Sequence, residues 1–154
     1  MRWLLVRGRG DRPLPAVGWT LERHASTRRP SVRKGDLAIC YASVWQAVFA
    51  VARVVSDPEH DPELERWSWR FGIEPLVAVS DLHEAPAVEE AGIFPSSLWR
   101  HSYIRLSDEQ FARARSLVER AVVRSGYDAI AETYESRHTV ESDGPHSFAM
   151  LRIM

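Results

Sequence analysis

Tryptophan and arginine are the residue types of this chain best suited to recognition chemistry. Six tryptophans, Trp3, Trp19, Trp45, Trp67, Trp69 and Trp99, occur in 154 residues. An indole is a flat, rigid surface on which a nucleobase stacks for about 1–3 kcal/mol. Arginine holds phosphate without reading sequence. Most tryptophans in a domain of this size are packing residues, and Trp3, Trp45 and Trp99 are assigned to core or rim packing.

The arginines are unevenly spread. Residues 1–34 carry nine bases (Arg2, Arg7, Arg9, Arg12, Arg23, Arg28, Arg29, Arg33 and Lys34) against Asp11 and Glu22, while the remainder holds 11 bases and 19 acids. A basic block beside an acidic remainder is the distribution of a protein that turns one face to phosphate. A solvated arginine face with no partner is the plain alternative.

Other chemistries have less behind them. His24, His60, His83, His101, His138 and His146 fall at no metal-ligand spacing, and Cys40 has no cysteine partner, so neither a metal nor another cofactor is expected. The RGRG stretch lacks both the G-x-G-x-x-G continuation and a Walker lysine. No nucleophile elbow is present, and the chain is not expected to be an enzyme. A lone cysteine in an apolar stretch fits a reducing, cytoplasmic setting. The opening MRWLLVRGRG is too short and too soon charged for a signal peptide, and no apolar run reaches the roughly 20 residues of a membrane span.

The elements that would position these residues follow from periodicity and turn signals. RWLLVR (Arg2 to Arg7) reads as a strand ended by a Gly-rich turn, and a short helix is expected around Trp19 to Ser26. Leu37 to Ser43 is a strand with Leu37, Ile39 and Tyr41 on one face and the small Ala38, Cys40 and Ala42 on the other, a split that suits a curved wall. Gln46 to Ser56 is an almost continuously apolar strand covered on both sides. DPEHDPELE is an acidic loop. Trp67 to Val79 is a third long strand region, with a bulge or bend suggested by Gly72 and Pro75, and with Trp67 and Trp69 on one face. Ser102 to Leu106 is a further strand.

Ser107 to Arg124 is a helix. Ser107 and Gln110 make a capping box, Phe111, Ala114, Val118, Ala121 and Val122 its apolar stripe, and Gly126 its terminator. Beyond it, Tyr127 to His138 reads as helical and HSFAMLRI as an added strand, an extension (residues 125–154) that covers a barrel edge. The expected class is α+β: about five to six strands closing as a β-barrel, short helices, and one longer C-terminal helix.

Four segments in this order resemble the EVE family, a branch of the PUA-like superfamily related to the YTH readers of methylated adenine. Trp3 lies in an opening strand, and Trp19 follows the first connection, where EVE and YTH domains place a pocket tryptophan. KGDLAICYAS (Lys34 to Ser43) resembles the family's Gly-Asp, apolar strand, Tyr-His-Ser pattern, with Ala42 in place of the histidine. AVARVV (Ala50 to Val55) resembles the next strand, with Arg53 in place of an acid. WSWRFGIEPLVAVSDL (Trp67 to Leu82) resembles the stretch where YTH domains have a cage tryptophan four residues before a phenylalanine, here Trp67 and Phe71. The likeness covers residues 2–123, a PUA-like domain of residues 1–124.

The resemblance implies a module that binds nucleic acid, DNA or RNA, and flips a modified base (methylated or hydroxymethylated cytosine, or N6-methyladenine) into an aromatic pocket. Trp19 and Trp67 would form the walls, with Trp69 the alternative to Trp67. Thr20, Tyr41 and Ser43 would meet the base edge, although Tyr41 also suits the barrel core. Arg23, Arg28, Arg29 and Arg33 would hold the phosphates. A methyl mark adds about 0.8 kcal/mol of burial, less than tenfold in affinity. A protein-interaction domain using the acidic loop or the tail, and an RNA-processing enzyme on an ASCH-like scaffold, are the competing readings. The ASCH signature of Gly-x-Lys-x-x-Glu-x-Arg type is not found.

Overall fold

A computed structural model describes residues 1–140 of the chain, and their side chains as far as Gly126. The described residues form seven strands and one long helix: β1 (Arg2–Arg7), β2 (Arg23–Ser26), β3 (Leu37–Ala42), β4 (Ala47–Val54), β5 (Glu59–His60), β6 (Trp69–Ala78), β7 (Tyr103–Arg105) and α1 (Asp108–Val140). Single 3-10 turns occupy Leu82–Glu84, Val88–Ala91 and Pro95–Leu98. The sheet order is β2-β6-β4-β3-β1-β7, with β5 pairing β6 beside this path. Only β1 and β3 pair in parallel; every other pair is antiparallel. The class is the expected α+β, a mixed sheet curled into a half-barrel with one C-terminal helix.

Curling follows from two local devices. β6 pairs β2 through Trp69–Gly72 and then β4 through Ile73–Ala78, so one strand belongs to both halves of the sheet. The exchange falls at Gly72, where a Cβ would meet Val55 Cγ2 at 2.9 Å, and the register shifts again beside Pro75. The bend expected from Gly72 and Pro75 is therefore present. A second register shift lets the adjacent Phe49 and Ala50 of β4 both join the inner core.

Two cores result, one on each face of the curl. Inside lie Trp3, Leu5, Ala38, Cys40, Ala42, Phe49, Phe71 and Leu82. Outside, Leu4, Ile39, Tyr41, Val48 and Val51 meet the α1 stripe of Phe111, Ala114 and Val118. The small residues of β3 thus line the concave face and the large ones sit beneath the helix. The capping box is formed: Gln110 N–H donates to Ser107 Oγ (3.1 Å) and Ser107 N–H to Gln110 Oε1 (3.0 Å).

The Gly-Asp turn before β3 ties down the first strand. Asp36 accepts from Trp3 Nε1 (2.8 Å), Arg33 N–H (3.0 Å) and the terminal ammonium (3.3 Å). Burial alone would raise the Asp36 pKa, but these donors hold it below the ordinary value. Arg53 pairs with Glu74 across β4 and β6 (3.0 Å).

Four expectations are corrected. Trp19 to Ser26 contains no helix: Arg23–Ser26 is a strand, because its backbone completes the outer edge of β6. Trp67 is not in a strand and shares no strand face with Trp69; it lies before β6 in a left-handed conformation (φ 59°). Helix α1 does not stop at Gly126 but runs to Val140, consistent with the helical reading of Tyr127 to His138. The acidic stretch, read as a loop, contributes the two residues of β5. The expected HSFAMLRI strand lies outside the described residues. No described helix is long and apolar enough to cross a membrane.

Candidate functional site

The two ends of the curled sheet meet at a seam. His24 of β2 donates Nε2–H to the carbonyl of Ser102 (2.7 Å), just ahead of β7, and that carbonyl also accepts Val6 N–H (3.0 Å) from β1. Ser102 Oγ donates to Ser26 Oγ (3.2 Å). Burial, and secondarily the neighbouring Arg7 charge, push His24 down to about 3, against a raising effect of the Ser102 carbonyl. His24 is therefore neutral, with Nδ1 left to accept from Arg7 Nη1 (3.2 Å).

A cleft of about 940 Å³ opens over this seam. Four remote segments supply its walls. Gly8, at φ 79°, turns the chain out of β1 into a tight loop in which Arg9 and Arg12 exchange both backbone hydrogen bonds (3.0 Å each). Ser43 follows β3 and is stitched to that loop, donating N–H to Arg7 O (3.0 Å) and Oγ–H to Gly8 O (2.9 Å). Arg66 and Trp67 come from the connection before β6, and Leu98 to Ser102 from the approach to β7.

Five arginines line the cleft, Arg7, Arg9, Arg12, Arg66 and Arg100, together with Trp67 and Trp99, and no carboxylate among the described residues does. Arg9 and Arg66 lie 6.0 and 5.6 Å from the Trp67 ring, and Arg100 4.3 Å from that of Trp99, which is 71% exposed. Three non-glycine residues have positive φ among those described, and two of them, Trp67 and Arg100, are in this cleft. Such strain persists only where the surroundings impose it, and it gathers at functional sites.

A smaller hollow of about 480 Å³ lies beside β2, β5 and β6. Glu22, Glu59 and Asp61 share it with Arg23, His60 and Arg70. Its acids oppose a polyanion, so the arginine cleft is the stronger candidate. No cluster of three His, Cys, Asp or Glu able to hold a metal occurs among the described residues.

The expected site residues are scattered. Trp67 and Ser43 line the cleft. Trp19 does not: it packs edge-to-face on Phe49 (4.8 Å) against the inner core, with its Nε1–H buried and unpartnered among the described residues. Tyr41 is in the outer core, 3% exposed, with burial raising its pKa. Trp69 meets His60 with ring centroids 4.9 Å apart at a 49° tilt, carries Arg29 at 5.6 Å, and does not line the cleft. Thr20 is exposed, and its carbonyl accepts from Arg7 Nη2 (3.3 Å). Arg23 lines the acidic hollow, while Arg28 and Arg33 are exposed in the connection between β2 and β3.

The residues missed were Arg7, Arg9, Arg12, Arg66, Arg100 and Trp99. A signal for them existed in the RGRGDR run and in the two dipeptides Arg66-Trp67 and Trp99-Arg100. Trp99, assigned to packing, is instead the most exposed large aromatic of the chain's described surface.

No family model matches the sequence, and no curated protein matches it. Solved structures do. Protein Atu2648 from Agrobacterium tumefaciens aligns with a TM-score of 0.51 at 16% identity, over 78% of this chain and 92% of its own. Rpa0253 from Rhodopseudomonas palustris aligns with a TM-score of 0.50 at 14% identity, over 77% of this chain and 90% of its own. At such identities the likeness is one of fold.

Proposed function

We propose that this protein is a nucleic-acid-binding module that receives a single-stranded or flipped-out nucleotide in the arginine cleft, stacking its base on Trp67 or Trp99. The observation that carries the reading is the composition of the cleft: five arginines and two accessible indoles, with no carboxylate among the described residues that line it. Base stacking on aromatics and phosphate contacts from arginine are the two terms that bind single strands. A volume of about 940 Å³ lies at the upper end of ordinary ligand sites, about 300–1,000 Å³, and leaves room for sugar and phosphate beside a base.

The polar groups of the cleft favour holding over reacting. His24 is engaged through both nitrogens, and the Ser43 hydroxyl donates to Gly8 O. The resemblance to EVE domains refines the proposal to a modified base, with Trp67 the wall common to the resemblance and the cleft. Trp99 then takes the place expected of Trp19.

A salt-controlled titration against matched DNA and RNA oligonucleotides tests this. Each is unmodified, cytosine-modified or N6-methylated on adenine, with Trp67→Ala and Trp99→Ala alongside. Binding that falls steeply with salt and is weakened by either variant supports the reading, and a preference for one mark supports its refinement. Binding indifferent to salt and to both tryptophans would sink it.

A further inference from the structure

We propose that Arg7, in the cleft beside the seam, is the residue that grips one phosphate group of the bound strand, with a guanidinium that no described carboxylate pairs. The inference rests on the nucleic-acid reading above and assigns the anionic contact within it.

Arg7 differs from the other four arginines in being fixed. Its Nη1 donates to Arg23 O (2.5 Å) and faces His24 Nδ1 (3.2 Å), and its Nη2 donates to Thr20 O (3.3 Å). All three acceptors are neutral. No ion pair among the described residues includes Arg7. Cys40 is near enough to be felt, but burial pushes its thiol up to about 12 and keeps it uncharged. Desolvation lowers the Arg7 pKa, the mark of a cation that the fold partly removes from water.

A guanidinium has five N–H donors. Three of Arg7's are engaged, leaving Nε–H and the second Nη2–H without a partner among the described residues. Two free donors on one rigid, charged plane are what a phosphate takes up in a bidentate contact. By contrast, Arg9 and Arg66 rest over Trp67, Arg100 rests over Trp99, and Arg9 lies 3.6 Å from Asp11. Those side chains screen a strand; Arg7 fixes its register.

The test uses the native protein and a short single-stranded oligonucleotide that it binds. Folded Arg7→Gln should bind at least about tenfold more weakly, the loss expected for one charged hydrogen-bonded contact. Its slope of log affinity against log salt should fall by about 0.7, one single-strand phosphate. Arg7→Lys should keep the slope and lose part of the affinity. Removing a terminal phosphate, or replacing one internal phosphate by methylphosphonate, tells which kind of phosphate Arg7 holds.

In the native protein the Arg7 Nε–Hε resonance should shift on saturation with the parent oligonucleotide, a readout that does not depend on a variant folding. Unchanged affinity and slope in a folded Arg7→Gln, or an unmoved Arg7 resonance, overturns the assignment while leaving the cleft reading intact. A native protein that binds none of the oligonucleotides overturns both.

Discussion

His24 and Ser102 are 78 residues apart in sequence and 2.7 Å apart in space, and through them the two ends of the sheet are joined. The imidazole is neutral in the folded protein, because it is buried and its Nδ1 accepts from the Arg7 guanidinium. The folded pKa of about 3 lies below the ordinary 6.5, so the unfolded chain takes up the proton first as pH falls. The His24 contribution is complete above about pH 6.5 and is lost progressively down to about 3, at up to about 1.4 kcal/mol per pH unit. Urea midpoints at pH 7, 6 and 5, where carboxylates are still largely ionised, should fall in the native protein. His24→Gln should begin lower and show a flatter profile; parallel profiles would dismiss the seam as the origin.

Trp67 and Trp19 should separate cleanly. Trp67→Ala and Trp99→Ala are expected to weaken oligonucleotide binding by about 1–3 kcal/mol each, with little change in stability. Trp19→Ala and Phe49→Ala open a space in the inner core and should destabilise the fold by about 3 kcal/mol or more, leaving the affinity of the folded fraction unchanged. Chemical unfolding and binding isotherms on the same four variants give the comparison.

The arginines should sort by position rather than by sequence neighbourhood. Neutralising Arg9, Arg12, Arg66 or Arg100 to glutamine should lower the salt slope by up to about 0.7 each. Arg23→Gln should leave it unchanged, because Arg23 lines the hollow that holds Glu22, Glu59 and Asp61. An equal loss from Arg23 would move the strand's path to the other side of β2.

Ser107→Ala should cost about 1 kcal/mol of stability through the lost cap of α1, with oligonucleotide affinity unaffected. Thermal unfolding monitored by circular dichroism reads it directly.

Much of the scaffold was legible in the chain. β3 shows its faces through strict alternation of large and small residues, and the start of α1 is written in Ser107 and Gln110. Local pattern failed where a partner decided the outcome. Trp19 to Ser26 reads as a short helix, yet Arg23–Ser26 is a strand because β6 offers unpaired backbone there. Gly126 costs about 1 kcal/mol in a helix, too little to end one that continues through favourable residues on both sides.

The cleft was the least legible part. Its walls are turns separated by tens of residues, and no periodicity links Arg7 to Trp67 or Trp99. The resemblance named Trp67, which lines the cleft, and paired it with Trp19, which instead packs on Phe49 against the inner core.

The seam also fixes when a ligand site can exist during synthesis. The cleft needs residues 7–12, 43, 66–67 and 98–102 at once, so most of the chain must have left the ribosome before any of it is assembled. A nascent chain lacking the last wall presents its early arginines with nothing to orient them. Once assembled, an occupant bridging these segments disfavours parting of the sheet ends by mass action. Occupancy should then appear as slower amide exchange in β2 and β7, the two sheet ends that the seam joins.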